Sequence, residues 1–235
     1  MKVKTVAVVL AAGRGSRMNS EIQKQYLLLL GRPVVTHTLD TFEASDIDEI
    51  VLVVGEDEIP YARKEIVERY GYKKINKIVV GGEERYDSVY QGLCAISDTE
   101  EETYVLIHDG ARAFVTVELI NFCIQEVKKS KACVAAVPVK DTIKVVDEEG
   151  YAESTPDRSV MWQMQTPQCF YLEEIKDAYR LMTENHDKSM TDDAMVMEKY
   201  GNRRVKMVRG SYENIKITTP TDMFLGEAIL KYAKK

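Results

Sequence analysis

Apolar and polar positions alternate along this chain in two rhythms. Short continuous apolar runs end in small residues, and longer stretches repeat their apolar positions every three or four residues. The runs are Val6–Leu10, leading into Ala11-Ala12-Gly13; Ile50–Gly55; Lys77–Gly82; Tyr104–Gly110; and Cys133–Val139. Continuous runs of this length read as strands buried on both faces. Between them, Val34–Ala44, Glu58–Tyr70 and Arg85–Ile96 read as helices, the last with Val89, Leu93 and Ile96 on one face. Val117, Ile120, Ile124 and Val127 mark the core side of another helix. Leu27–Leu30 and Gly31-Arg32-Pro33 form a short apolar segment and a turn. Strands alternating with helices predict an α/β fold, a doubly wound and mostly parallel sheet in one domain over 1–235. Ligands of such sheets sit at the carboxyl ends of the strands.

The rhythm changes after Pro138. Thr142–Val146 and Tyr151–Ser154 flank the turn-rich Asp147-Glu148-Glu149-Gly150 and predict a β-hairpin, an arm spanning 138–158. An isolated hairpin is marginal in water, so it needs a surface to pack on, either a second copy or its own domain. Further on, Glu173–Thr183 and a segment introduced by Thr191-Asp192-Asp193 through Tyr200 read as helices, with Thr191 the expected N-cap ahead of an acidic first turn. Val205–Val208 and Asn214–Ile217 read as strands. Thr221–Lys234 reads as a closing helix with Phe224, Leu225, Ala228 and Tyr232 on its buried side.

The first run carries the chemistry. It ends in Ala11-Ala12-Gly13-Arg14-Gly15-Ser16-Arg17-Met18, with Lys24-Gln25-Tyr26 following. Glycines at 13 and 15 allow the backbone to approach a ligand, and successive N–H groups make a concave anion site. Arg14, Arg17 and Lys24 add positive charge beside it. A Walker A loop is excluded because Ser16-Arg17 follows Gly15, and the dinucleotide fingerprint fails at Met18. Gly-x-Gly alone is also compatible with a plain strand-to-loop turn; the three basic residues favour a polyphosphate.

Composition narrows the class. The 235 residues are 45% hydrophobic and 30% charged, with a net charge of −6, which argues against a general nucleic-acid binder and for a small anionic ligand held by a local basic cluster. Cys94, Cys123, Cys133 and Cys169 form no Cys-x-x-Cys pair, so neither a zinc site nor a redox pair is expected, and a reducing cytoplasm fits. No apolar stretch suits a signal sequence or a membrane span.

Several stretches resemble one family. The loop just described is similar to that of sugar-nucleotide and alditol-phosphate nucleotidyltransferases. His108-Asp109-Gly110-Ala111-Arg112, Val139–Lys144, Asp157-Arg158, Gln165-Thr166-Pro167-Gln168, Thr191-Asp192-Asp193-Ala194 and Asn214–Thr218 narrow it to the 2-C-methyl-D-erythritol 4-phosphate cytidylyltransferases. The resemblance implies a Rossmann-like nucleotidyltransferase fold, CTP and a polyol phosphate as substrates, Mg²⁺ as cofactor and a homodimer joined through the β-arm. It implies nucleotide contacts from Ala11, Ala12, Gly13, Arg14, Gly15, Gly82, Glu83 and Ser88. Arg17 and Lys24 would stabilise the α-phosphorus and the departing pyrophosphate; Arg158 and Lys216 would hold the attacking phosphate. Asp109 would hold the metal. Asp109, Arg112, Thr142, Arg158, Thr166, Thr191 and Lys216 would place the polyol phosphate, with Thr142 and Arg158 arriving from the other subunit. Two positions depart from the family pattern: Glu83 stands where aspartate is common, and Ala113 where proline usually follows the arginine. His108 is expected to be structural, because a phosphate monoester is already largely dianionic near neutral pH and needs no general base. The competing functions are a ribitol-5-phosphate cytidylyltransferase, a sugar-1-phosphate nucleotidyltransferase and a catalytically inactive nucleotide-binding regulator.

Overall fold

The computed structural model describes residues 3–13, 18, 22–97 and 100–232. Its centre is a seven-stranded sheet. The strands are β1 (Val3–Ala11), β4 (Glu49–Val54), β5 (Ile75–Val80), β6 (Glu102–Asp109), β7 (Ala132–Pro138), β10 (Trp162–Tyr171) and β11 (Lys206–Arg209). They lie in the order β11-β7-β10-β6-β1-β4-β5. All are parallel except β10, which pairs antiparallel with both β6 and β7. The expected mostly parallel, doubly wound sheet is therefore present, and β5 is half-exposed because it forms one edge.

The continuous apolar runs are explained by cover on both faces. On one face, alternate residues such as Ala7, Val9, Leu52, Leu106 and Cys133 pack under α1 (Val34–Ala44) and α4 (Val117–Ser130). Also on this face is a helix that starts as α2 (Ile59–Tyr61) and continues as a π-helix over Ala62–Glu68. On the other face, Val6, Val8, Val53, Val105, Ile107 and Phe170 pack under α3 (Arg85–Ala95), α5 (Leu172–Glu184) and α6 (Asp193–Tyr200). The Thr116 hydroxyl caps α4 by accepting from Leu119 N–H at 3.2 Å, and Lys131 ends it in the left-handed region. Cys123, Cys133 and Cys169 are buried free thiols of this core.

Several elements differ from the expectation. The whole of β10 is absent from the pattern reading, because Pro167 interrupts it; the strand tolerates the proline at a register shift between Met164 and Gln168. Leu28–Leu29 and Arg32–Pro33 pair as a small hairpin, β2 and β3. The arm is shorter than predicted: only β8 (Val145–Val146) and β9 (Ala152–Ser154) pair, in a separate two-stranded sheet. Asn214–Ile217 is not a strand. Its bonds go to the loop after β6 and to β10, with Ile217 N–H donating to Ala111 O at 2.9 Å and Asn214 Nδ2 to Thr166 O at 2.9 Å.

The closing helix, α7 (Pro220–Tyr232), turns the other way from the predicted face. Phe224, Leu225, Ala228 and Tyr232 are exposed, whereas Met223, Ile229 and Leu230 pack with Leu29, Phe114 and Ile217. Gly226 explains the rotation: a Cβ there would lie 2.7 Å from the Phe114 ring, so the side without a side chain is the one that docks. Among the described residues no helix is long and apolar enough to cross a membrane.

Candidate active site

The carboxyl ends of β1, β5 and β6 open into one cleft of about 320 Å³. Leu10 stands in register beside Asp109, so the loop leaving β1 and the carboxylate ending β6 are neighbours by construction. Ala11, Ala12, Gly13, Lys24, Gly82, Glu83, Ser88, Asp109 and Lys216 all line the cleft, together with Gln25, Glu84 and Arg85. Lys24 lies along Gly13, its Cε 3.9 Å from where a Cβ would be. The predicted loop residues Arg14, Gly15 and Arg17 lie outside the described residues.

One wall of the cleft is built from a tight turn. Ser88 Oγ accepts from Gly82 N–H at 3.1 Å and donates to Glu84 O at 3.2 Å, folding the turn back on the first turn of α3. A Cβ on Gly81 would fall 2.6 Å from Ser88 Oγ and 2.7 Å from the Ala12 Cβ, so only glycine lets these two walls meet.

The floor is Asp109, surrounded by cations. Arg85 Nε donates to its Oδ1 at 3.0 Å, Lys216 Nζ lies 2.7 Å from Oδ2, and Arg112 Nε stands 4.0 Å from Oδ2. Burial alone would raise the Asp109 pKa; Arg85, Lys216 and Arg112 overcome it and hold the carboxyl well below the usual range. Arg112 is anchored by donating to Asn214 O at 2.8 Å.

Beneath the floor, Thr166 Oγ accepts from Asp109 N–H at 3.1 Å and faces His108 Nδ1 at 3.1 Å, while His108 Nε2 faces Arg112 O at 3.3 Å. A carbonyl can only accept, so the imidazole carries its proton on Nε2 and Nδ1 accepts from Thr166. Complete burial pushes its pKa down to about 3, against the pull of the Asp109 charge. His108 is thus a neutral brace that aligns Asp109 with Arg112, as expected of a structural residue.

Other predicted residues fall elsewhere. Thr191 lies on a shallower depression beside the cleft, with Arg85, Lys188 and Met190. It is not the cap of α6; Asp192 is, accepting from Met195 N–H at 2.9 Å. Asp193 is an acid of the first turn of that helix, as expected. It is fully buried and grips Arg85 through both oxygens at 2.9 Å. Thr142 and Arg158 are exposed on the arm, outside the cleft, where Arg158 donates to Lys140 O at 2.7 Å.

Sequence reasoning passed over Arg85. A signal was present: a cation in the first turn of a helix opposes the macrodipole and so calls for an anionic partner nearby.

The sequence pattern of the 2-C-methyl-D-erythritol 4-phosphate cytidylyltransferases matches residues 5–232. The chain belongs to this family. It is 52% identical to the 2-C-methyl-D-erythritol 4-phosphate cytidylyltransferase of Lachnospira eligens, over 96% of this chain and 98% of that one. It is 48% identical to the enzyme of the same name from Alkaliphilus oremlandii, covering 97% and 95% of the two chains. Among solved structures, the 4-diphosphocytidyl-2C-methyl-D-erythritol synthase of Anaerococcus prevotii superposes with a TM-score of 0.84 at 36% identity, covering 97% of this chain and 96% of that one. Family membership thus agrees with the observed fold.

Proposed function

We propose that this cleft transfers the cytidylyl group of CTP to 2-C-methyl-D-erythritol 4-phosphate, releasing pyrophosphate and forming 4-diphosphocytidyl-2-C-methyl-D-erythritol. The observation that carries this reading is the meeting, at the strand ends, of a close-packed loop over Ala11–Gly13 with Lys24, Asp109 and Lys216. The chemical difficulty is to bring two anions together and stabilise charge at the α-phosphate, which asks for positioning and positive charge rather than a proton relay. A neutral His108 with no freedom to titrate near pH 7 suits that division of labour.

In this reading Ala11–Gly13 hold the triphosphate by backbone N–H groups, and Lys24 and Arg17 stabilise the α-phosphorus and the leaving pyrophosphate. Gly82, Glu83 and Ser88 receive the base. Lys216, which pairs with Asp109, turns to the acceptor phosphate, while Arg112, Thr166 and Thr191 position the polyol. Thr142 and Arg158 act across a dimer interface. Exposed Ile143, Val145, Val146 and Tyr151 support that interface, since the paired strands of the arm are too short to be stable alone.

The donor set fits Mg²⁺ brought in with the nucleotide. Among the described residues no group of three or more histidine, cysteine or acidic side chains forms a resident metal site. Mg²⁺ characteristically takes one or two carboxylates and completes its shell with phosphates and water. Asp109 would supply the carboxylate, and the ion when bound would neutralise part of the triphosphate charge. Pyrophosphate release tests the reaction directly. Turnover is expected only when CTP, methylerythritol 4-phosphate and Mg²⁺ are all present, and turnover without the acceptor would refute the assignment.

A further inference from the structure

Arg85 joins three separate elements through one guanidinium. Its Nε donates to Asp109 at the end of β6 at 3.0 Å, and its two terminal nitrogens donate to the two oxygens of Asp193, the first residue of α6, at 2.9 Å each. Asp193 is fully buried and takes a further bond from Tyr179 of α5, whose hydroxyl lies 2.5 Å from Oδ1. The start of α6 is clamped again by Gln168 of β10, which donates to Asp192 at 3.1 Å and accepts from Ala194 N–H at 2.9 Å. Arg85 thus cannot swing freely, and its two carboxylates raise its pKa well above the ordinary value although burial opposes them.

Its place between cavities is as informative as its bonds. Arg85 lines the main cleft and also the depression of about 440 Å³ that holds Lys188, Met190 and Thr191. A bidentate fork fixes orientation as well as distance. A buried ion pair is weak grounds for stability, because desolvation cancels much of the attraction. Nor does the helix gain, since a first-turn cation opposes the dipole. What the arrangement secures is relative position.

We propose that Arg85 is a positioning residue for the acceptor: locked by Asp193, it ties the segment carrying Thr191 to the Asp109 carboxylate. It also remains Asp109's partner when Lys216 leaves for the acceptor phosphate. This rests on the cytidylyltransferase reading and adds to it a residue that acts through the carboxylates it holds. Losing the fork should loosen the acceptor side while sparing the nucleotide side, which is built on Gly82–Ser88 and the β1 loop.

The test is steady-state pyrophosphate release by the full chain carrying Arg85→Lys, and separately Tyr179→Phe, with each substrate varied in turn. Arg85→Lys should raise the KM for methylerythritol 4-phosphate about tenfold, the equivalent of one good charge-assisted bond, and leave the KM for CTP within about twofold. Tyr179→Phe, which keeps the fork and removes one support of Asp193, should shift the same constant about threefold. A purely structural role would lower the thermal midpoint and kcat and leave the two KM values in their wild-type ratio; that result in both variants overturns the proposal. Wild-type protein that releases no pyrophosphate from the two substrates overturns the cytidylyltransferase reading, and the role of Arg85 with it.

Discussion

His108 gives a stability test that is separate from turnover. Its side chain has no exposure, and its pKa falls from 6.5 to about 3 because burial penalises the charged ring. The unfolded chain takes up a proton near pH 6.5, whereas the folded protein resists until about pH 3. The unfolded state therefore binds more protons across that window, so stability is complete above it and falls as the pH is lowered. At about 1.4 kcal/mol per pH unit, the stability lost between pH 6.5 and pH 3 is on the order of 5 kcal/mol. Asp109 also destabilises the fold on acidification, but only below its ordinary carboxylate pKa, since its own shift is downward. His108→Gln preserves a donor toward Arg112 O and an acceptor toward Thr166 without titrating. Urea denaturation at pH 7, 6, 5 and 4 should show wild type losing about 1.4 kcal/mol per unit more than the variant below pH 6.5. Parallel curves for the two proteins would refute the reasoning, as would a His108 resonance titrating near 6.5.

Three variants probe the site and the arm. Lys216→Ala should lower kcat on the order of 10²–10³-fold while CTP affinity by calorimetry stays within about threefold, because Arg85 still holds Asp109. Gly81→Ala forces apart Ser88 and Ala12, which a Cβ would approach to 2.6 and 2.7 Å; CTP binding should weaken about tenfold with little change in the acceptor KM. Val146→Asp with Tyr151→Asp puts charge on the exposed apolar arm. On the proposed dimer, wild type should sediment as a dimer and the double variant as a monomer at the same concentration, a loss of about 2 kcal/mol or more in association; a monomeric wild type would refute the interface.

What was legible in the sequence follows from which interactions are local. The buried parallel strands announce themselves because both faces are covered, so Val6–Leu10, Ile50–Val54 and Tyr104–Ile107 are apolar without alternation. Their carboxyl ends then locate the cleft, and the lysines and carboxylate predicted for it do line it. β10 was hidden because Pro167 breaks the local signal, and its place in the sheet is set by partners far away in sequence. The face of α7 was misread for a related reason. Apolar periodicity favours Phe224 and Leu225, but close docking on Phe114 selects Gly226, and nothing within the helix records that contact. Arg85 illustrates the same limit at the site. Its partners lie 24 and 108 residues away, so its isolated charge is visible in sequence and its function as a tether is not.

The central claim is that the cleft joins CTP to a particular polyol phosphate. The most direct measurement offers equal concentrations of methylerythritol 4-phosphate and ribitol 5-phosphate with CTP and Mg²⁺ in one vessel, and identifies the cytidine-diphosphate products by mass. The expected result is 4-diphosphocytidyl-2-C-methyl-D-erythritol in large excess. Predominance of CDP-ribitol would contradict the substrate while keeping the chemistry, and the absence of both products would contradict the account altogether.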